Sequence, residues 1–469
     1  MLGDPSQVGS GAGTGQSVLT FSDADAAASD AAAAFWNWSR TRPDERRDLL
    51  AAMAASLGKS RADLREVAAA EIGAAPKWID FNIRLAQQTL LEAGNLLPLL
   101  EDKIVDDPVH GTRSIQRRQP VGVVLGFAAW NAPIALSVRA VAAPLVCGNT
   151  VVFKASEHCP ETHSMVIDIL RGAGLPNGVA SVVTNTPEES TEVARRLITY
   201  PAIRRINFTG STRAGRIVAE IAASQLKRCL LELSGKAPLI VTNTADLDAA
   251  VSAAALGAFF NQGQICMSTE RIIVFPEIAD EFVARLVKRT EALRAADPKT
   301  SDAPLGRLIN ANAADRVRDL IDEAVSKGAK LLTGGEIDGA VMQPAVVDRV
   351  SSNMRLYHEE SFGPVASVLR VQDTDEAISI ANDTEFGLSA AVFGADIDRC
   401  MEIADRLETG VCQINGPTVY DDAAMPFGGM KASGYGRFGG PASIDEFTEL
   451  RWIAQHKTGV QARSDDLLT

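Results

Sequence analysis

The 469-residue chain is poor in aromatic residues, at 5%, and carries only six cysteines and five histidines. Cys147, Cys159, Cys229, Cys266, Cys400 and Cys412 are scattered with no Cys-x-x-Cys pair. That excludes a readable zinc ribbon or disulfide scaffold and fits reduced thiols. His158 and His163 lie close to Cys159 but make a poor ligand set, so no metal is expected. Excess positive charge is missing too: 59 acidic against 46 basic residues leave −13. Such a balance repels phosphate backbones and anionic membranes, and neither nucleic acid nor membrane is expected as a partner. The longest apolar stretches, such as Val251 to Phe260, are broken by Ser252 and Gly257 and fall short of the ~20 residues of a membrane span. No basic residue precedes Arg40. A secretory n-region and an Arg-rich transit peptide are therefore absent from the reading, and a soluble, cytoplasmic protein is expected.

What is present is ordinary globular composition, 46% apolar and 22% charged, over a length that allows two to four domains. Residues 1–16, with five glycines and no apolar period, read as a flexible tail. Helical signals run from Ser22 to Trp38 and restart at Asp44, where Leu50, Met53 and Leu57 mark one face. From Val121 to Phe127 the chain turns to an unbroken apolar run, the mark of a strand buried on both faces. Thr150 to Ala155, Val179 to Thr184, Ile203 to Thr209 and Cys229 to Leu233 repeat it. Helical stretches such as Glu161 to Gly172 and Ala214 to Gln225 lie between, which is the βαβ pattern of a parallel sheet. The alternation restarts after Lys236 with strand signals at Pro238 to Val241, Ile272 to Phe275, Ala329 to Leu332 and Ala366 to Val371. Helical stretches Leu247 to Phe260 and Asp280 to Arg294 accompany them. The fold class is thus α/β, with two parallel-sheet lobes of Rossmann type and a seam near 233–236.

Four short stretches carry chemistry. Phe208-Thr209-Gly210-Ser211-Thr212-Arg213-Ala214-Gly215 ends a strand and opens a helix, where backbone N–H groups and the helix dipole favour a phosphate. Arg216 and Ile217 stand where a P-loop needs Lys and Ser/Thr, so a dinucleotide fits better than a nucleoside triphosphate. Alone, such a turn also serves packing. Lys154-Ala155-Ser156-Glu157 stands at a strand's C-terminal edge, where an open α/β sheet places its ligand crevice, or it is a solvated turn. Cys266 follows a long apolar helix through the polar bend Asn261-Gln262-Gly263-Gln264. Glu232, ending an apolar strand, would have its pKa raised by burial toward that of a general base, unless it is paired with Lys236. Asn131, in Phe127-Ala128-Ala129-Trp130-Asn131, could donate to an oxyanion or simply cap a helix.

In this order the four pieces resemble the NAD(P)-dependent aldehyde dehydrogenase superfamily, from about residue 20 to residue 458. Glu359-Glu360-Ser361-Phe362-Gly363-Pro364, Asn415, and Pro426-Phe427-Gly428-Gly429 agree with it. The resemblance implies a cofactor domain (17–101 and 121–232), a catalytic domain (233–440), and an oligomerisation flap with a closing strand (102–120 and 441–469). It implies Cys266 as nucleophile, Glu232 as general base and Asn131 in the oxyanion hole. Lys154, Ser156, Glu157, Gly210, Ser211, Gly215, Trp130, Glu360 and Phe362 would bind the cofactor. Glu157 would repel a 2′-phosphate, so NAD is expected over NADP. Ala132, Arg139 and Met267 are expected on the substrate side, with Arg139 either binding a phenol oxygen or carboxylate or making a structural ion pair. The wording from Asn131 to Arg139 and from Asn415 to Gly440 most resembles salicylaldehyde, vanillin and benzaldehyde dehydrogenases. An aromatic aldehyde is the expected substrate, and a homodimer or homotetramer the expected assembly. An aliphatic semialdehyde dehydrogenase and a catalytically silent structural member are the alternatives. A coenzyme-A-acylating relative would lack Glu232, and a cysteine hydrolase would need a histidine beside these motifs.

Overall fold

A computed structural model describes residues 21–107 and 112–456. The expected tail 1–16 and the end of the expected C-terminal piece, 457–469, lie outside the described residues. The chain begins with four helices, Phe21–Trp38, Pro43–Lys59, Arg61–Ile72 and Pro76–Asn95. Prolines open the second and fourth, where a missing N–H costs nothing, and Gly73 ends the third in the left-handed conformation at φ 65°. Leu50, Met53 and Leu57 are buried, as their spacing predicts.

The first sheet has six strands in the order Gly434–Tyr435, Arg228–Glu232, Ile203–Thr209, Val123–Phe127, Thr150–Lys154 and Ala180–Val183. All pairs are parallel except the one made by Gly434–Tyr435. The expected strands are therefore present, with ends shifted by one or two residues. Both faces are covered: Val124, Val151 and Phe153 pack with helix Pro133–Val146, while Val123, Leu125 and Val152 pack with Ala24, Ala28 and Ala31. This two-sided burial is why the strands read as continuous apolar runs rather than alternating ones.

The second sheet has seven strands: Lys330–Thr333, Ala345–Asp348, Val365–Arg370, Thr269–Val274, Ala237–Val241, Ser389–Phe393 and Val411–Ile414. Only the edge strand Lys330–Thr333 is antiparallel. Ala345–Asp348, Ser389–Phe393 and Val411–Ile414 escape the sequence reading, the last because its four residues are only half-buried. Lys103–Asp107, Thr112–Pro120 and Thr448–His456 form a separate antiparallel sheet. Gly434–Tyr435 returns from the second half of the chain to pair with Arg228–Glu232, so the seam near 233–236 is crossed again.

Candidate active site

A cleft of about 690 Å³ opens between the two large sheets. Phe127, Lys154, Thr209 and Glu232, the last residues of four successive parallel strands, all line it. That is the carboxyl edge at which open α/β sheets bind ligands.

At one end, Ser211 caps helix Thr212–Ser224, accepting a hydrogen bond from Ala214 N at 3.3 Å, and its turn faces the cleft. Gly210 also lines the cleft and donates its N–H to the Glu232 carbonyl at 3.1 Å, tying two strand ends together. Gly215 departs from expectation: it does not line the cleft, its N–H is spent on the Ser211 carbonyl, and a Cβ there would collide with Leu233. The glycine serves helix-to-strand packing. Lys154 and Glu157 form an ion pair within the cleft, and Ser190 Oγ donates to the same carboxylate oxygen. Asn185 Nδ2 adds a third donor at 3.2 Å. Burial alone would raise the Glu157 pKa, but Lys154 and Ser190 hold it down at about 2. The Ser156 N–H donates to His163 Nδ1 at 3.0 Å, which fixes the turn from behind.

At the other end the chain leaves helix Leu247–Phe259 through three successive left-handed residues, Asn261, Gln262 and Gly263. Asparagine and glycine tolerate that conformation, and the resulting bend delivers Cys266 to the cleft. Asn131 is held from both sides. Its carbonyl accepts from Trp78 Nε1 at 2.7 Å and Asn261 Nδ2 at 3.1 Å, and its own Nδ2 donates to the Gln264 carbonyl at 2.9 Å. Glu232 is 1% exposed, and neither carboxylate oxygen has a hydrogen bond of good geometry, although the Cys266 thiol and Thr209 hydroxyl lie beside them. Burial raises the Glu232 pKa. Burial and the neighbouring Glu232 push the Cys266 thiol well above its ordinary value. A carboxylate and a thiol that each disfavour charge stand together, an arrangement suited to proton transfer between them.

Glu360 and Phe362 line the same cleft. The Glu360 carboxylate accepts the Gly235 N–H at 2.9 Å, and burial pushes its pKa up to about 7. The Phe362 ring meets Trp130 edge-on, centroids 5.7 Å apart.

The three residues expected on the substrate side do not line this cleft. Ala132 precedes helix Pro133–Val146, and Met267 is buried with its carbonyl accepting from Thr418 Oγ1 at 2.7 Å. Arg139 is buried in an ion pair with Asp421, its guanidinium 4.6 Å from the Phe427 ring centre. Of the two roles weighed for it, the structure shows the ion pair. Sequence reasoning missed Trp78, Asn185, Ser190 and Asp421, because each reaches its partner across at least 28 residues of chain. The bend at Asn261 was the one local signal available.

The chain is similar to known proteins in sequence and fold. The sequence profile of the aldehyde dehydrogenase family matches residues 14–453. A vanillin dehydrogenase of Pseudomonas fluorescens is 52% identical over 437 residues, covering 93% of this chain and 90% of the relative. A salicylaldehyde dehydrogenase of Pseudomonas sp. strain C18 is 46% identical, covering 95% and 92%. The crystal structure of a salicylaldehyde dehydrogenase from Pseudomonas putida G7 complexed with salicylaldehyde superposes with a TM-score of 0.92 at 46% identity, covering 95% of this chain and 92% of that one. With a cysteine, a buried glutamate and an oriented amide gathered at one cleft, and a match over nearly its whole length, the chain belongs to the aldehyde dehydrogenase family.

Proposed function

We propose that the protein oxidises an aromatic aldehyde of the vanillin, salicylaldehyde or benzaldehyde type to its carboxylate, with NAD as hydride acceptor. The observation that carries the chemistry is the buried pair of Glu232 and Cys266 at the strand-end cleft. The substrate class rests on the relatives named vanillin and salicylaldehyde dehydrogenase.

The Cys266 thiol passes its proton by way of Glu232 to solvent, which leaves Glu232 ionised again, and its sulfur attacks the aldehyde carbon, forming a thiohemiacetal. The developing oxyanion is held by the backbone N–H of Cys266 and by Asn131 Nδ2, whose two N–H groups include one beyond that given to Gln264. The bound nicotinamide supplies a two-electron acceptor for the hydride of the former aldehyde C–H bond. The acyl group then remains on Cys266 as a thioester. Glu232 removes a proton from water, the resulting hydroxide attacks the thioester, the C–S bond breaks, and the carboxylate leaves while the thiol regains its proton. One aldehyde, one water and one NAD yield one carboxylate, one NADH and two protons.

The cleft fits the dinucleotide. Lys154, Ser156 and Glu157 would hold the adenine ribose, the Gly210-Ser211 turn the pyrophosphate, and Glu360, Phe362 and Trp130 the nicotinamide half. A carboxylate fixed by Lys154, Ser190 and Asn185 supports NAD over NADP, because it accepts from a 2′-hydroxyl and repels a 2′-phosphate. The exposed apolar side chains Ile104, Val105, Leu450 and Trp452 on the small sheet support assembly as a homodimer or homotetramer.

The test is NADH formation by purified protein with NAD or NADP and vanillin, salicylaldehyde, benzaldehyde, succinic semialdehyde or hexanal. Preference for the aromatic aldehydes with NAD is expected. Turnover of the semialdehyde alone would overturn the substrate class and leave the site chemistry standing.

A further inference from the structure

Behind the segment that carries Glu360 and Phe362 lies a charged pair that the chemistry above does not use. Glu270, on strand Thr269–Val274, is 3% exposed, and Lys236, just before strand Ala237–Val241, is 2% exposed. Lys236 Nζ donates to Glu270 Oε2 at 2.6 Å and to the Glu359 carbonyl at 2.6 Å. The Glu270 carboxylate also accepts the Ser361 N–H at 3.0 Å, the Ser361 hydroxyl at 2.7 Å and the Phe362 N–H at 3.2 Å.

Phe362 has φ 48°, a conformation that costs a non-glycine residue energy. Two successive N–H groups at such a residue form a concave nest that an anion fills, and Glu270 is that anion. Removing this acceptor would leave two buried amides without a partner and the Lys236 ammonium with the Glu359 carbonyl but no counter-charge from Glu270. The segment is also held from outside, where Arg316 donates to the Glu360 carbonyl at 2.6 Å.

We infer that Glu270, fixed by Lys236, is a positioning residue for hydride transfer: it holds the 359–362 segment so that Glu360 and Phe362 meet the nicotinamide half of the cofactor in one geometry. This rests on the reading that Glu360 and Phe362 bind that half. Glu270 does not line the cleft and touches no reacting atom. Its effect therefore falls on steps that need the nicotinamide in place, and spares the nucleophilic chemistry of Cys266, which has its own supports in Asn131 and Gln264.

The experiment compares three readouts in the full-length protein and its Glu270→Gln variant. They are vanillin oxidation with NAD, NADH binding followed by fluorescence, and p-nitrophenyl acetate hydrolysis without cofactor. The glutamine keeps the volume but replaces one acceptor oxygen with a donor facing other donors. Expected is a loss of kcat in aldehyde oxidation at least about tenfold larger than any loss in ester hydrolysis, with weakened NADH binding. Equal losses in both reactions, or none, would overturn the inference. Should the variant not fold, Ser361→Ala, which keeps the ion pair, carries the test; an unchanged ratio of the two activities overturns it. Glu360→Gln separates the two levels. Unaltered NADH affinity in that variant removes the cofactor reading of the segment and the inference with it. Weakened affinity there beside a normal Glu270→Gln overturns the positioning role alone.

Discussion

Gly235 and Cys266 meet backbone to backbone, so closely that a Cβ on Gly235 would overlap the Cys266 carbonyl oxygen. Gly235 is three residues past the buried Glu232, so this contact sets the distance between the base and the nucleophile. Gly235→Ala would push apart two backbone segments that have no flexible end to move. Expected is a loss of about 1–3 kcal/mol in stability and, because a ~1 Å misplacement costs on the order of 10²-fold, a far larger loss in kcat/KM. Thermal unfolding and steady-state kinetics on one preparation check this; a fully active alanine variant would show that the two segments relax independently.

Cys266→Ala should abolish aldehyde oxidation while leaving NADH binding intact. Glu232→Gln should slow thiol attack and slow thioester hydrolysis more, because a thiol can also lose its proton to water, giving a burst of NADH followed by slow turnover, since positioned proton transfer contributes about 10²- to 10⁴-fold. The thioester trapped on Cys266 should be visible by intact-protein mass. Steady turnover at the wild-type rate with no burst would remove Glu232 from the base role.

Much of this was legible because strands buried on both faces write themselves as apolar runs, because Glu232 ends such a run with a carboxylate, and because Cys266 follows a polar bend at the end of an apolar helix. The first sheet and the residues at its carboxyl edge followed from that pattern. Gly215 packs against Leu233 away from the cleft, and in sequence such a glycine looks like one that admits a phosphate. Arg139 shows the harder limit. Its partner Asp421 lies 282 residues away, so no local pattern could choose between a substrate contact and an ion pair.

Arg139→Leu should therefore act first on stability, because it strands Asp421 as a buried charge, and removing one partner of such a pair costs about 3–5 kcal/mol. The guanidinium also lowers the pKa values of both Glu232 and Cys266, though burial dominates each. Its removal should move the ascending limb of the kcat/KM pH profile to higher pH. Arg139→Leu with Asp421→Leu should recover much of the lost stability and move the pH profile part of the way back, because Asp421 raises the Glu232 pKa that Arg139 lowers. A pH profile identical to wild type in the single variant would confine Arg139 to a structural role.

Cofactor choice tests Glu157. Glu157→Gln removes the negative charge but keeps a group that can meet a ribose hydroxyl, so the ratio of NADP to NAD kcat/KM should rise at least about tenfold, the effect of ~1.4 kcal/mol less repulsion. Ser190→Ala should move the ratio in the same direction by less, since Lys154 and Asn185 still hold the carboxylate. An unchanged ratio in Glu157→Gln would mean that the 2′ position is read elsewhere in the cleft.

His163 links this same turn to pH. It is fully buried, its Nδ1 accepts the Ser156 N–H, and its Nε2 faces the Cys159 sulfur at 3.4 Å, so the proton of the neutral ring sits on Nε2. Burial, reinforced by Lys154, depresses its pKa to about 3. In the unfolded chain a histidine titrates near ~6.5. Between these values the unfolded state binds a proton that the folded state refuses. Stability from this residue is whole above the unfolded value and falls by about 1.4 kcal/mol for each unit of acidification below it. His163→Asn, whose side-chain oxygen can still accept from Ser156, removes that term. In urea unfolding at pH 7, 6 and 5 the wild type should be the more stable at pH 7, and its advantage should shrink with each step of acidification. An advantage that stays constant across the three pH values would mean that His163 takes up its proton as readily in the folded chain as in the unfolded one, and that Ser156 is held by some other acceptor.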